Sequence, residues 1–99
     1  MIVVTGSAII QRDSFAEARR LSIEHTQRSR AEPGCISHDV HIDCENPLRL
    51  VFVERWADRD ALLAHFAVPA SRQFIKALSV LLVEPSTIEI YDAKLLDKP

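Results

Sequence analysis

The sequence predicts an α+β fold in which helices cover one face of an antiparallel sheet. Its 99 residues are enough for one domain. Four short segments have strand character and three have apolar residues at helical spacing, in the order β-α-β-β-α-α-β. Neither a repeat nor a linker interrupts this order, which is typical of a ferredoxin-like domain, here expected to span residues 1–99.

The N-terminal third predicts one strand and one helix. Residues 1–10 are rich in β-branched side chains and predict strand β1. Ser14 and Glu17 have the spacing of a capping box, in which a hydroxyl and a carboxylate satisfy backbone N–H groups at a helix start. Apolar residues then recur at helical spacing, so helix α1 is expected to run to about Ala31 with His25 on its inner face.

The middle of the chain predicts a hairpin. A turn at residues 32–34 precedes strand β2 over residues 35–43, and a second turn at 45–47 leads into strand β3 over residues 48–56. Strict alternation gives β2 two faces, one with Ile36, His38, Val40 and Ile42 and the other with Cys35, Ser37, Asp39, His41 and Asp43.

The last third predicts two helices and a final strand. Asp58 can cap helix α2, on which Leu62, His65 and Phe66 share one face. Pro69 suits the first turn of helix α3. The chain then reaches Glu84-Pro85, which ends the helical region, and residues 87–95 predict strand β4. The apolar positions expected on α3 are Phe74, Ile75, Leu78, Leu81 and Leu82.

Composition excludes several classes of protein. The 12 basic and 14 acidic side chains give a net charge of -2, without the basic excess of a nucleic-acid-binding module. No apolar run approaches the roughly 20 residues that span a bilayer, and the N-terminus lacks a secretory signal, so we expect a cytoplasmic protein without a membrane partner. Cys35 and Cys44 lie at opposite ends of β2, about 30 Å apart, so two free thiols are expected.

Strand β3 predicts that the sheet packs against a second copy of the chain. Leu50, Phe52 and Trp56 make one face of β3 apolar, while Val51 and Val53 make the other face apolar. Since helices can cover only one of these faces, the other is expected to meet the same sheet of a partner, which gives a homodimer. The alternative is a monomer with a few exposed valines.

Five short motifs, taken in order, resemble the antibiotic biosynthesis monooxygenase family. They are Glu24-His25, the run Ser29–Cys35 (SRAEPGC), Asp39-Val40-His41 with Asp43, Glu54-Arg55-Trp56, and Ala64-His65-Phe66. The likeness covers nearly the whole chain and implies a dimeric α+β barrel with a pocket between the sheet and helices of each protomer. It also implies a monooxygenase without flavin, haem or metal, which deprotonates a quinol, anthrone or related phenol so that the carbanion reduces O2 directly.

This resemblance selects the candidate site residues. His65 is the candidate base, because an imidazole can accept a phenolic proton near neutral pH. His38 is a second candidate catalytic residue, which would orient a substrate oxygen together with Trp56. The candidate substrate-binding residues, which would hold a small aromatic or quinol-like molecule, are Trp56, His25, Phe66 and Phe74. Each of these side chains has a simpler alternative role in the core.

Other chemistries receive less support. A cross-strand ion pair, on the sheet or at the dimer edge, explains Glu54 and Arg55 more simply than a catalytic role does. The run from Cys35 to Cys44 does not predict a metal site, because His38 and His41 point to opposite faces of a strand. Three positions that haem-degrading relatives use correspond to Ser7, His65 and Ile75, and none carries the required residue.

Two alternatives to the oxygenase stay open. The same pocket could hold a proton-transfer isomerase, which would act without oxygen. A non-catalytic dimeric ligand binder is the third hypothesis, favoured if Phe66, Phe74 and Trp56 fill the pocket themselves. Neither cysteine has a basic partner at an obvious spacing, so nucleophilic catalysis is not expected.

Overall fold

The computed structural model describes residues 1–99 and contains four strands and three α-helices. The antiparallel sheet has the strand order β2-β3-β1-β4, and the helices lie on one of its faces, so the predicted ferredoxin-like α+β fold is confirmed. The elements are β1 (Ile2–Ile9), α1 (Phe15–Ser29), β2 (Cys35–Asp43), β3 (Asn46–Trp56), α2 (Arg59–Ala67), α3 (Pro69–Ser79) and β4 (Thr87–Asp92).

Alternation along the two central strands builds the face that the helices cover. Val4 and Ala8 of β1 pair with Glu54 and Leu50 of β3, and all four side chains are buried. Two apolar clusters form against this face. The larger cluster contains Ala8, Ile10, Ala18, Leu50, Phe52, Phe74 and Leu78, and the smaller one contains Val4, Trp56 and Leu62.

The turn between α1 and β2 depends on glycine. Gly34 has a φ of 82°, and a Cβ atom there would lie 2.5 Å from the Cβ of Ala61. A side chain at this position would therefore be strained in its backbone and would collide with α2. The predicted turn at residues 32–34 is confirmed, and it brings Glu32 close to α2.

The sequence predicts the cap at the start of α2 correctly, but not the one at the start of α1. Asp58 caps α2 as expected, accepting a hydrogen bond from the Ala61 N–H at 2.9 Å. The capping box of α1 is not formed, because the chain enters that helix through a 3-10 turn at Arg12–Ser14. Glu17 pairs instead with Arg20, at 2.6 Å.

A bulge corrects the predicted faces of β2. The register shifts between Cys35 and Ser37, so that Cys35 lies opposite Trp56 and packs into the smaller apolar cluster. Ile36 is consequently half-exposed instead of sharing a buried face with His38. The two cysteines are free thiols, as predicted.

The C-terminal elements are shorter than predicted. Strand β4 ends at Asp92, which pairs with Ile2. Because Ile2 is the first residue of β1, the residues after Asp92 have no partner on that strand. Helix α3 ends before Leu81 and Leu82, and Leu82 instead bridges to Ile10. Ile75 lies on α3, as expected, but its side chain is exposed, unlike those of Phe74 and Leu78.

The second face of the sheet carries no helix. Alternation puts Val3 and Ile9 of β1 and Val51 and Val53 of β3 on this open face, where all four are half-buried. None of the helices combines the length and apolar character that a membrane span requires.

Candidate active site

A cavity of about 300 Å³ lies between the sheet and the three helices. All the strands except β2, together with the helices, contribute to its lining of sixteen residues. Its volume is at the lower end of the range for pockets that bind small molecules, about 300–1,000 Å³. Eight of the lining residues are buried and form the interior of the cavity: Ala8, His25, Phe52, Glu54, His65, Ser71, Phe74 and Leu78.

His65 is held in one orientation by Glu32. The His65 Nδ1 and Glu32 Oε1 atoms are 2.8 Å apart, and both side chains are largely buried. A carboxylate can only accept a hydrogen bond, so the ring proton belongs on Nδ1. The Nε2 atom, 3.9 Å from the Glu54 carboxylate, is then left as a proton acceptor on the lining of the cavity.

His25 is kept neutral by its surroundings. Its ring stacks on Phe74, with the centroids 4.0 Å apart, and its Nδ1 accepts a hydrogen bond from the Arg28 guanidinium at 2.7 Å. Since a guanidinium can only donate, Nδ1 carries no proton. Burial, reinforced by the nearby His38, His65 and Arg28, lowers the pKa of His25 to about 3.

Glu54 is a site residue that the sequence interpretation missed. Its carboxylate is buried on the helix-covered face and accepts a hydrogen bond from the Trp56 indole N–H at 3.0 Å. Burial raises the pKa of Glu54 above its ordinary value. Arg55 lies on the open face and donates to Ser37, so the ion pair expected at Arg55 is not formed within the chain. Alternation from Phe52 through Trp56 was the signal that could have placed Glu54 inside.

His38 and Trp56 lie behind the cavity wall instead of on it. Both side chains are completely buried, and neither belongs to the lining. The Trp56 ring centroid is 4.6 Å from that of His65. Neither ring nitrogen of His38 has a hydrogen-bond partner, although Nε2 is 3.4 Å from the Glu54 carboxylate in an unfavourable direction. Burial, with a further contribution from His65, lowers the pKa of His38 to about 4.

The structure therefore divides the six candidate residues into two groups. His65, His25, Phe66 and Phe74 line the cavity, while His38 and Trp56 support it from behind. Phe66 is partly exposed, at the mouth of the cavity. The side chains of Phe66, Phe74 and Trp56 leave the cavity open, so the structure lacks the filled pocket that would favour the ligand-binder hypothesis.

The three buried histidines also form the only cluster of side chains that could together bind a metal ion. His25, His38 and His65 come from three different elements, and their nearest ring nitrogens lie within 4.8 Å of one another. Imidazoles are common ligands of zinc and other transition metals. However, the Arg28 guanidinium bonded to His25 leaves the remaining proton of that ring on Nε2, and it adds a positive charge next to the cluster. These residues therefore fit a divalent cation poorly.

Comparison with known proteins agrees with this architecture. The family model of antibiotic biosynthesis monooxygenases matches residues 1–77. The uncharacterized protein sll1783 of Synechocystis sp. (strain ATCC 27184 / PCC 6803 / Kazusa) is 37% identical over 90 residues, which are 91% of this chain. The chain spans about three fifths of the length of that curated relative, 61%.

Solved structures with the same fold extend the comparison. A Deinococcus radiodurans protein assigned to the antibiotic biosynthesis monooxygenases is 28% identical, with a TM-score of 0.94 and coverage of 100% of this chain and 98% of that chain. An antibiotic biosynthesis monooxygenase is 26% identical, with a TM-score of 0.89 and coverage of 96% and 100%. Rv0793 from Mycobacterium tuberculosis is also 26% identical, with a TM-score of 0.89 and coverage of 98% and 96%.

Proposed function

Since the chain belongs to the antibiotic biosynthesis monooxygenase family, we propose that it is a cofactor-independent monooxygenase that oxidises a quinol, anthrone or related phenolic compound with O2. One observation carries this proposal. The His65 Nε2 atom is available as a proton acceptor on the cavity lining because the Glu32 carboxylate, 2.8 Å away, holds the other ring nitrogen.

The remaining lining suits a planar aromatic substrate. Phe52 and Phe74 are in edge-to-face contact, with centroids 6.1 Å apart, and the His25 ring continues the stack on Phe74. Aromatic walls of this kind favour flat, apolar molecules. The imidazole and carboxylate groups of His65 and Glu54 are the polar groups of the buried interior that can exchange a proton with such a molecule.

The proposed reaction begins with a proton transfer to His65. Its Nε2 takes the acidic proton of the substrate and leaves a carbanion, which gives one electron to O2. The substrate radical and superoxide then combine to form a carbon–oxygen bond, and the protonated imidazole returns its proton to the peroxide. Loss of the second hydrogen from that carbon, with cleavage of the O–O bond, gives a carbonyl group and water. In balance, the methylene group of an anthrone and one O2 molecule become one carbonyl group and one water molecule. For a quinol, the first proton comes from a hydroxyl group and the second from the attacked ring carbon, so that hydroquinone and O2 become hydroxyquinone and water. In both cases the substrate supplies every electron.

Glu54 is placed to carry a proton in the same sequence of steps. Its oxygen lies 3.9 Å from His65 Nε2, and its raised pKa allows it to hold a proton at a higher pH than an exposed glutamate. A protonated Glu54 could therefore donate to the departing peroxide oxygen. Trp56, whose indole N–H fixes the carboxylate, is a positioning residue in this scheme.

We also propose that the chain acts as a homodimer and that residues 1–99 form one domain. The half-buried valines of the open face, Val51 and Val53, provide an apolar surface that another sheet can cover. Strand β4 lies beyond the 1–77 match but pairs with β1, which favours counting it within the domain. In sedimentation experiments, Val53→Asp should produce monomers, whereas Val80→Asp, at an exposed site after α3, should not. A parent protein that sediments as an 11.2 kDa species would contradict the dimer.

Oxygen uptake tests the central proposal. The purified protein, treated with a chelator, should consume O2 with at least one member of a panel of hydroquinones and anthrones. His65→Gln should lower the rate by about 10²–10⁴-fold, the usual contribution of a general base. His41→Gln makes the same change at an exposed histidine and should leave the rate within twofold of the parent. No uptake with any compound, or full activity in His65→Gln, would contradict the proposal.

A proton-transfer isomerase is the second candidate, and one observation favours it. His65 and Glu54 are two proton-carrying groups with facing atoms 3.9 Å apart, an arrangement that can move a proton between two carbons of a hydroxyketone. Turnover in the absence of oxygen would identify this activity, whereas the oxygenase should stop when oxygen is removed.

A further inference from the structure

The mouth of the cavity carries a cation without a partner. Among the sixteen lining residues, only Glu54 and Arg72 carry a formal charge at neutral pH when histidine is neutral. Glu54 is buried in the interior, whereas Arg72 is exposed. Arg72 makes neither a salt bridge nor a side-chain hydrogen bond, although five other arginines of this chain do: Arg20, Arg28, Arg30, Arg49 and Arg55.

The preceding residue is a polar group that also lacks a partner. Ser71 lines the cavity and is 3% exposed, and its hydroxyl is buried without a hydrogen bond. Most buried hydroxyl groups in proteins are hydrogen-bonded, because an unpaired one loses its hydrogen bonds to water without replacement. The N–H groups of Ser71 and Arg72 are already bonded to the Val68 carbonyl oxygen, so the side chains are the groups that remain for a ligand.

We propose that Ser71 and Arg72 bind an acidic substituent, so that the substrate is a phenolic or anthrone-type aromatic compound bearing a carboxylate. A guanidinium pairs with a carboxylate through two parallel hydrogen bonds, and the Ser71 hydroxyl gains the acceptor that it lacks. The ionisable hydroxyl of the substrate then reaches His65 in the interior. This inference rests on the proposed function, because it assigns a substrate class to the same cavity.

The surroundings of Arg72 fit an anion. The other residues at the exposed rim carry no charge, so nothing on the lining competes for the guanidinium or repels a carboxylate there. Ser86, just before β4, and Thr87, the first residue of β4, add two hydroxyl groups to the lining. The exposed rim residues without charge are Phe66, Ile75, Ser86, Thr87 and Ile88.

Binding of a matched pair of compounds tests this inference without requiring turnover. Isothermal titration calorimetry under anaerobic conditions would compare 2,5-dihydroxybenzoate with its methyl ester. The acid should bind the parent protein at least tenfold more tightly than the ester. Arg72→Gln should weaken binding of the acid about tenfold and change binding of the ester less than twofold. The control Arg59→Gln removes an equal charge from an exposed site outside the lining and should change neither.

Ser71→Ala separates a binding role from a structural one. We expect it to weaken binding of the acid three- to tenfold while the ligand-free protein melts at the same temperature or higher, because the unpaired hydroxyl is gone. Equal binding of acid and ester to the parent, equal weakening of both by Arg72→Gln, or no binding of either compound would overturn the inference. Selective binding of the acid without oxygen uptake would support it and would count against the oxygenase alone.

Discussion

The interior between the sheet and the helices has two ends, one lined by apolar side chains and the other by polar side chains. At one end, Leu50, Phe52 and Leu78 pack with other apolar side chains. At the other end, His25, His38, His65 and Glu54 are buried, and Glu32 bonds to His65. The apolar end has close-packed contacts that favour folding, whereas the polar end contains desolvated groups, some of them without partners.

This difference indicates where the fold gains stability and where it retains reactive groups. Burying an imidazole nitrogen without a hydrogen bond, as at His38, opposes folding. The same dry surroundings hold His25 and His38 neutral and raise the pKa of Glu54, which are useful properties in a site that moves protons. Substitutions at the apolar end should therefore change mainly the free energy of unfolding, whereas substitutions at the polar end should change mainly turnover and its dependence on protons.

The largest effect is expected at the apolar end. Leu50→Ala removes a side chain that is 1% exposed and leaves a cavity, so the free energy of unfolding should fall by about 2–5 kcal/mol. Urea unfolding followed by circular dichroism measures this change. Leu63→Ala, at a half-exposed position on α2, serves as the control and should cost less than about 1 kcal/mol. Equal losses in the two variants would show that this end is not the main source of stability.

At the polar end, Glu32→Gln should reduce turnover and leave stability nearly unchanged. The amide keeps the size of the side chain but no longer fixes the proton on His65 Nδ1, so a substrate meets a misaligned base. We expect kcat to fall about hundredfold with KM within a factor of about three. Glu24→Gln, at an exposed position on α1, is the matched control. A proportional rise in KM, or a loss of folding, would point to a different role.

The sequence predicted the inward-facing rings at both ends, but not the carboxylates of the polar end. Alternation in β3 and helical spacing in α2 were sufficient to turn Phe52, Trp56 and His65 inward. The same alternation implied a buried Glu54, but a charged residue is an improbable core residue unless its partners are known. Those partners, Trp56 and the histidines, come from separate elements, and spacing along the chain does not reveal their distances.

Local signals failed where tertiary packing decides the outcome. The capping-box spacing of Ser14 and Glu17 was present, yet a 3-10 turn and the pairing of Glu17 with Arg20 prevailed. The bulge beside Cys35 changed the face of one residue, which no alternation rule can anticipate. Gly34, in contrast, was informative because only glycine tolerates both the backbone angle and the nearby Ala61 side chain.

Acid should destabilise the protein through its polar end. The pKa values of His25 and His38 in the folded state are about 3 and about 4, below the ordinary value of 6.5. As the pH falls from 6.5 towards 4, the unfolded chain therefore binds protons that the folded chain does not, and stability is lost. Each histidine contributes up to about 1.4 kcal/mol per pH unit, while Glu54, whose pKa is raised, acts in the opposite direction.

The variant His38→Leu isolates the contribution of one histidine to this pH dependence of stability. Between pH 6.5 and 5, the slope of unfolding free energy against pH should be smaller in His38→Leu than in the parent, by up to about 1.4 kcal/mol per unit. His41→Leu removes an exposed imidazole and serves as the comparison. Urea unfolding at a series of pH values gives both slopes. Identical slopes for the parent and His38→Leu would mean that His38 binds its proton equally in both states.

The smallest expected effect compares two serines on α1, one in the middle of the helix and one at its last residue. Both are 0% exposed, but Ser29 donates to the His25 carbonyl oxygen at 2.7 Å, whereas the Ser22 hydroxyl has no partner. Ser22→Ala should raise the free energy of unfolding by up to about 1 kcal/mol, because it removes an unpaired buried hydroxyl and improves helix propensity. Ser29→Ala gains the same propensity but loses a hydrogen bond, so it should be neutral or destabilising. If both variants change the free energy of unfolding alike, the missing partner of Ser22 has no measurable cost. The difference between paired and unpaired buried polar groups would then not extend beyond the histidines.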